Sequence, residues 1–142
     1  MQATIDATFK QYGPHFKMTV EENRTVAVKK LSALALSLTD EADVRHFLTT
    51  FATFYTKTWT AVFSRIAAVR TLIEARGAFA TASLSALIVE TYTPLFLKEG
   101  NDELRKTLFL LLVPFFQRAA ALPEPVVAFL NGLPSLRDPL KA

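Results

Sequence analysis

Apolar side chains recur along this chain at steps of three and four almost from end to end, the period of an α-helix face, and nowhere in the alternation of a half-buried strand. Thr19 followed by Glu22 has the form of a capping box, which predicts a helix opening there and running to about Leu38. Within it Val28, Leu31, Leu34, Ala35 and Leu38 make one apolar stripe. Asp40 is placed to cap the helix that follows. From Val44 the apolar positions 44, 48, 51, 55, 59, 62, 66, 69 and 73 keep step with the ~3.6-residue turn. Unbroken, that run would be one helix of about 35 residues, long for a globular domain. The β-branched cluster Thr56, Thr58 and Thr60 supplies a break, giving helices over 42–56 and 59–76, with Gly77 as a stop that favours left-handed backbone.

The segment 79–97 reads as a further helix in which Pro94 should impose a kink or an end. Asn101 caps the next one, and Asp102 and Glu103 stand in its first turn, where the helix dipole favours acids. That helix is expected to reach about Ala121 with a bend at Pro114. It is apolar on every side between Leu108 and Val113, which places it in the middle of the molecule. A short helix after Pro125, ending at Gly132, completes the set, and residues 134–142, PSLRDPLKA, read as a tail or linker. The expectation is one all-α domain over 1–133, with short antiparallel neighbours forming a bundle or a right-handed stack of helix pairs.

Composition narrows the function classes. With 51% hydrophobic residues and a net charge of +3 in 142 residues, the chain is too apolar for disorder and long enough to bury a core without staples. It contains no cysteine, which excludes a thiol nucleophile, a Cys-ligated zinc and an iron–sulfur cluster. The longest apolar run, Leu108 to Phe116, is far short of the ~20 residues of a spanning helix, and the N-terminal stretch has no leader pattern, so a soluble protein is expected. A hydrophobic hairpin over 79–121 with the charged tip KEGNDELRK is the membrane-inserting alternative. An excess of three positive charges is too small to point to nucleic acid.

Candidate chemistry is sparse. The two histidines, His15 and His46, have no acid at ligand spacing beside them, so no metal site is expected, and they read as a loop residue and a solvated residue. No G-x-S-x-G elbow exists, and most carboxylates sit in N-terminal turns. Glu74 and Glu90 interrupt apolar or basic stretches and read as exposed. The aromatic series Phe47, Phe51, Phe54, Tyr55, Trp59 and Phe63 falls at helical spacing, which is the pattern of core packing. Neither an enzyme activity nor a cofactor is expected.

Three stretches, in order, resemble the CTD-interacting domain, the module that binds the repetitive tail of the largest subunit of RNA polymerase II. Residues 23–35, NRTVAVKKLSALA, follow the family's N-S-[KR]-x-x-I-x-x-L-T-x-L-A. Residues 69–77, VRTLIEARG, and then Phe79 to Tyr92 keep the apolar frame of L-D-S-I-x-K-N-x-G and the aromatic helix after it. Residues 102–108, DELRKTL, match an acidic turn leading into T-R-x-K-L. The resemblance implies a right-handed superhelix of about seven to eight helices, a nuclear location and a role in transcription or RNA processing. It also implies a peptide partner that is acidic or phosphorylated.

The peptide-binding residues it implies are Asn23, Lys30, Arg70, Thr71, Glu74 and Arg105. Arg105 falls on the position that contacts phosphoserine, and in a groove of this kind Asn23 is expected to fix the peptide backbone, with Lys30 and Arg70 adding positive field. The family's tyrosine-reading aspartate falls on Arg70, which donates but cannot accept, and its lysine and asparagine fall on Glu74 and Ala75. A basic groove shared by Lys30, Arg70 and Arg105 is therefore expected. The alternative of another class is a VHS-like or HEAT-like scaffold that binds a protein partner without reading phosphate.

Overall fold

The structure, a computed structural model, describes residues 1–118 together with Val127. The helix expected after Pro125, the tail 134–142 and the approach to Ala121 lie outside the described residues. The protein is all-α: among the described residues every regular element is helical. The order is α1 (Gln2–Tyr12), a 3-10 turn (Gly13–Lys17), α2 (Glu21–Ser37), α3 (Glu41–Lys57), α4 (Val62–Glu74), a second 3-10 turn (Arg76–Phe79), α5 (Ala82–Leu97), α6 (Asp102–Leu111) and α7 (Val113–Arg118). The chain divides into two compact units, Met1–Phe79 and a second from Ala80 onward.

In the first unit α1 packs on α2 and α3, α2 packs on α4, and the Gly13–Lys17 turn sits against α1, α2 and α4. Phe9, Phe16, Phe47, Phe51, Tyr55 and Trp59 are buried together. The Phe16 and Trp59 rings lie edge-on with centroids 4.8 Å apart, and Phe51 and Trp59 repeat that geometry at 5.0 Å. The helix break falls where the threonines predict, between Lys57 and Val62. Trp59, inside that link, turns inward and donates its indole Nε1–H to the Gly13 carbonyl at 2.9 Å. Ser64 Oγ donates to the Phe16 carbonyl at 2.6 Å, so both ends of the link are tied to the same 3-10 turn.

The break also resets the helical phase. Ser64, Ala68, Thr71 and Leu72 face the core of α4, while Val62 and Phe63 are 46% and 38% exposed. The apolar series therefore does not run on unchanged through position 62, because the non-helical link rotates the second helix relative to the first. Asp40 caps α3 as its position predicts, its Oδ1 accepting from the Ala42 amide at 2.9 Å.

Thr19 does not cap α2. The helix opens at Glu21 with Val20 in the cap position and no side-chain bond into its first turn. Instead Arg24 reaches back from that turn, its Nη1 donating to the carbonyls of Met18 and Thr19 at 2.8 and 2.9 Å. Gly77 is not a left-handed stop either. It lies in the second 3-10 turn, and no described residue has positive φ. A Cβ there would stand 3.4 Å from Leu36 Cδ2, an ordinary van der Waals contact, so neither backbone angle nor space demands glycine at this position.

α2 and α4 run side by side and parallel. Arg24, near the start of α2, lies over the ring of Phe63, near the start of α4, and Gly77, just past the end of α4, lies beside Leu36, near the end of α2. The two are separated in the chain by α3.

In the second unit α5 opens on a Thr81 cap and carries through Pro94 to Leu97. Proline removes only the donor to the Glu90 carbonyl, and because Glu90 and Pro94 are both exposed the helix tolerates the loss. α5 packs on α6 and α7, with Phe96 and Phe109 edge to face at 5.9 Å. Asn101 caps α6 as expected, accepting from the Leu104 amide at 2.9 Å. The helix expected to continue beyond Leu111 is interrupted at Leu112, because Pro114 cannot donate to the Leu110 carbonyl. Leu108, Phe109, Leu112 and Phe115 are buried, but Leu110 is exposed, so the run is not covered on every side.

Candidate functional site

On α2, Glu21, Arg24, Thr25 and Val28 fall at i, i+3, i+4 and i+7, which places them on one face. On α4, Phe63, Ile66, Ala67 and Arg70 repeat that spacing, and Glu74 extends it by a turn. The two faces line a common groove of about 400 Å³ within the first unit. Val28, Ile66 and Ala67 contribute apolar lining.

Arg24 is fixed at one end of the groove. Its guanidinium is held by the Met18 and Thr19 carbonyls, and its central carbon lies 4.9 Å from the centroid of the Phe63 ring. A cation placed over an aromatic face is attracted by the ring quadrupole, so each side chain restrains the other. Farther along α4, Arg70 and Glu74 are exposed, and neither side chain forms a hydrogen bond or ion pair with another described residue. The groove thus carries two arginines and two glutamates, and its lining is balanced in charge rather than basic.

Of the six residues expected at a binding surface, Arg70 and Glu74 line this groove together. Asn23 is half-buried on α2 and Lys30 is exposed on the same helix, both outside the lining. Thr71 is wholly buried, its Oγ1 without a hydrogen-bond partner, so it belongs to the core of α4 and not to a ligand-facing surface. Arg105 stands in the second unit on α6, half-buried, with Nη2 donating to the Asp102 carboxylate. Every residue lining the groove belongs to the first unit.

Among the groove residues, Glu21, Arg24 and Phe63 bring charge or aromatic surface that the sequence did not assign to a binding site. The signal for the first two was the i, i+3, i+4, i+7 run from Glu21 to Val28, which mixes charge with apolar residues. Phe63 was hidden inside the aromatic series, because its assignment to the core needed the helical phase to continue through the Thr58–Ala61 link.

The histidines differ from expectation in detail. His46 is tied across α1 and α3, its Nε2 lying 2.8 Å from Asp6 Oδ1, and is not merely solvated. His15 lies in the first 3-10 turn beside the Tyr12 ring, with centroids 5.5 Å apart. Among the described residues no group of three or more histidines and acids could hold a metal ion, and no helix is long and apolar enough to cross a membrane. The chain matches no protein-family model, no curated protein and no solved structure.

Proposed function

We propose that this chain is a non-enzymatic peptide-binding module, working without a cofactor, whose ligand lies along the α2–α4 groove. The observation that carries this reading is a pair of parallel helix faces that leave Arg70 and Glu74 uncommitted beside an apolar lining. A parallel pair separated by one helix is what a right-handed stack of helix pairs brings together, the arrangement of the CTD-interacting domain. The three ordered stretches that resemble that family support the narrower reading. In it the ligand is the phosphorylated tail of RNA polymerase II, and the protein works in the nucleus in transcription or RNA processing. Arg70 then donates to the ligand where the family's aspartate accepts. The phosphate contact that the resemblance gives Arg105 belongs to the second unit and is tested by its own variant.

The test is a fluorescence-anisotropy titration of heptad-repeat peptides, unphosphorylated and serine-phosphorylated, into the full chain and into Arg70→Ala and Arg105→Ala. Charge-assisted bonds to phosphate predict about a tenfold or greater loss in a variant whose arginine holds the phosphate. Binding to none of these peptides removes the polymerase reading. A second reading, a scaffold that docks a protein partner without reading phosphate, is favoured by the two glutamates that offset the groove's two arginines. Equal affinity for phosphorylated and unphosphorylated peptides decides for it.

A further inference from the structure

We infer that the groove reads a ligand in a set order: an apolar or aromatic side chain against Phe63, an acidic or phosphorylated residue three positions away against Arg70, and a basic residue two positions beyond against Glu74. This rests on the peptide-binding reading and adds the sequence of the peptide to it.

The order follows from spacing. Phe63, Arg70 and Glu74 share one face of α4, and at ~1.5 Å per helical residue the first two lie about 10.5 Å apart along the axis and the last two about 6 Å apart. An extended chain advances about 3.4 Å per residue, so those intervals correspond to about three and two ligand residues.

Each position also has its own chemistry. At the first, Phe63 is 38% exposed and lines the groove together with the apolar side chains of Val28, Ile66 and Ala67. Apolar surface gathered in this way favours an apolar cover. Glu21 and Arg24 face this end with opposite charges, which gives no preference for a charged residue there. Arg70 and Glu74, by contrast, present opposite charges in fixed sequence along the helix with no partner among the described residues. A ligand with acid and base in the matching order satisfies both, and one with the order exchanged sets like charges against each other.

The experiment uses the full chain and ten-residue peptides built on Phe-Ala-Ala-pSer-Ala-Lys, its reversed sequence, and versions of both with phosphoserine and lysine exchanged. Either the ordered peptide or its reverse is expected to bind about tenfold tighter than its exchanged counterpart. The double variant Arg70→Glu/Glu74→Arg, which alters only exposed positions, is expected to invert that preference while keeping its circular dichroism spectrum. Equal affinity for ordered and exchanged peptides, or a double variant that keeps the wild-type preference, overturns the inference and leaves peptide binding standing. Failure of every peptide, in a display selection as well as in titration, overturns the underlying reading and the inference with it.

Discussion

The indole Nε1–H of Trp59 donates to the carbonyl oxygen of Gly13 at 2.9 Å, joining the link between α3 and α4 to the turn that follows α1. Both groups are buried, and the ring sits among Phe16, Phe51 and Phe54. Trp59→Phe removes the donor to that carbonyl and leaves a small void. The expected cost is about 2 kcal/mol of unfolding free energy, read by urea denaturation followed by circular dichroism. A loss below about 0.5 kcal/mol would mean that the carbonyl finds another donor.

Gly13 is constrained by space and not by backbone angle. Its φ of −52° suits any residue, but a Cβ there would stand 2.6 Å from Phe54 Cε1. Gly13→Ala is expected to cost about 1–3 kcal/mol through overpacking. In a Phe54→Leu background the same change should cost less, and the difference across the double-mutant cycle measures the clash. A zero coupling would place the cost elsewhere.

Caps make a contrasting pair. Asp40→Ala removes the acceptor for the Ala42 amide and should destabilise by about 1 kcal/mol. Thr19→Ala, at the position whose sequence imitates a cap, should change stability by less than about 0.5 kcal/mol, since α2 takes no side-chain cap. Thermal denaturation of the two variants side by side separates a real cap from an apparent one.

Tyr92 is wholly buried, and burial pushes its phenol pKa well above the ordinary value of 10.0. Below that value both the folded and the unfolded chain hold the proton, and the group adds no slope to stability. Above it the unfolded chain releases the proton and the folded chain does not, so stability falls as pH rises, by up to about 1.4 kcal/mol per pH unit. Tyr92→Phe should flatten that alkaline limb, whatever its effect at neutral pH. Denaturant midpoints at about pH 9, 10 and 11, one unit to either side of the ordinary phenol value, give the comparison, and identical slopes for both proteins would refute it.

The helices were legible wherever one local rule decided them. The threonine cluster places the break, and Asp40 and Asn101 announce their caps because a cap bond spans only two or three residues. Where a distant partner intervenes, the local rule fails. Thr19 loses its capping role at a stretch where Arg24 takes the neighbouring carbonyls. Phe63 reads as core until Trp59 is seen to be drawn onto Gly13, which turns the next helix and brings the ring to the surface. Arg70 and Glu74 entered through the family resemblance. Their shared groove depends on α2, about forty residues earlier, and no local pattern carries that pairing.

That separation has a kinetic meaning. Because α2 and α4 lie parallel, Arg24 can meet Phe63 only after the intervening chain has folded back along its whole length. Closing such a loop carries an entropic cost before any contact repays it, so the groove should be among the later features of the first unit to assemble. Helix content alone would then be a poor gauge of competence. In refolding the far-ultraviolet signal should recover before peptide affinity does, and a fragment holding α2 or α4 by itself should bind nothing.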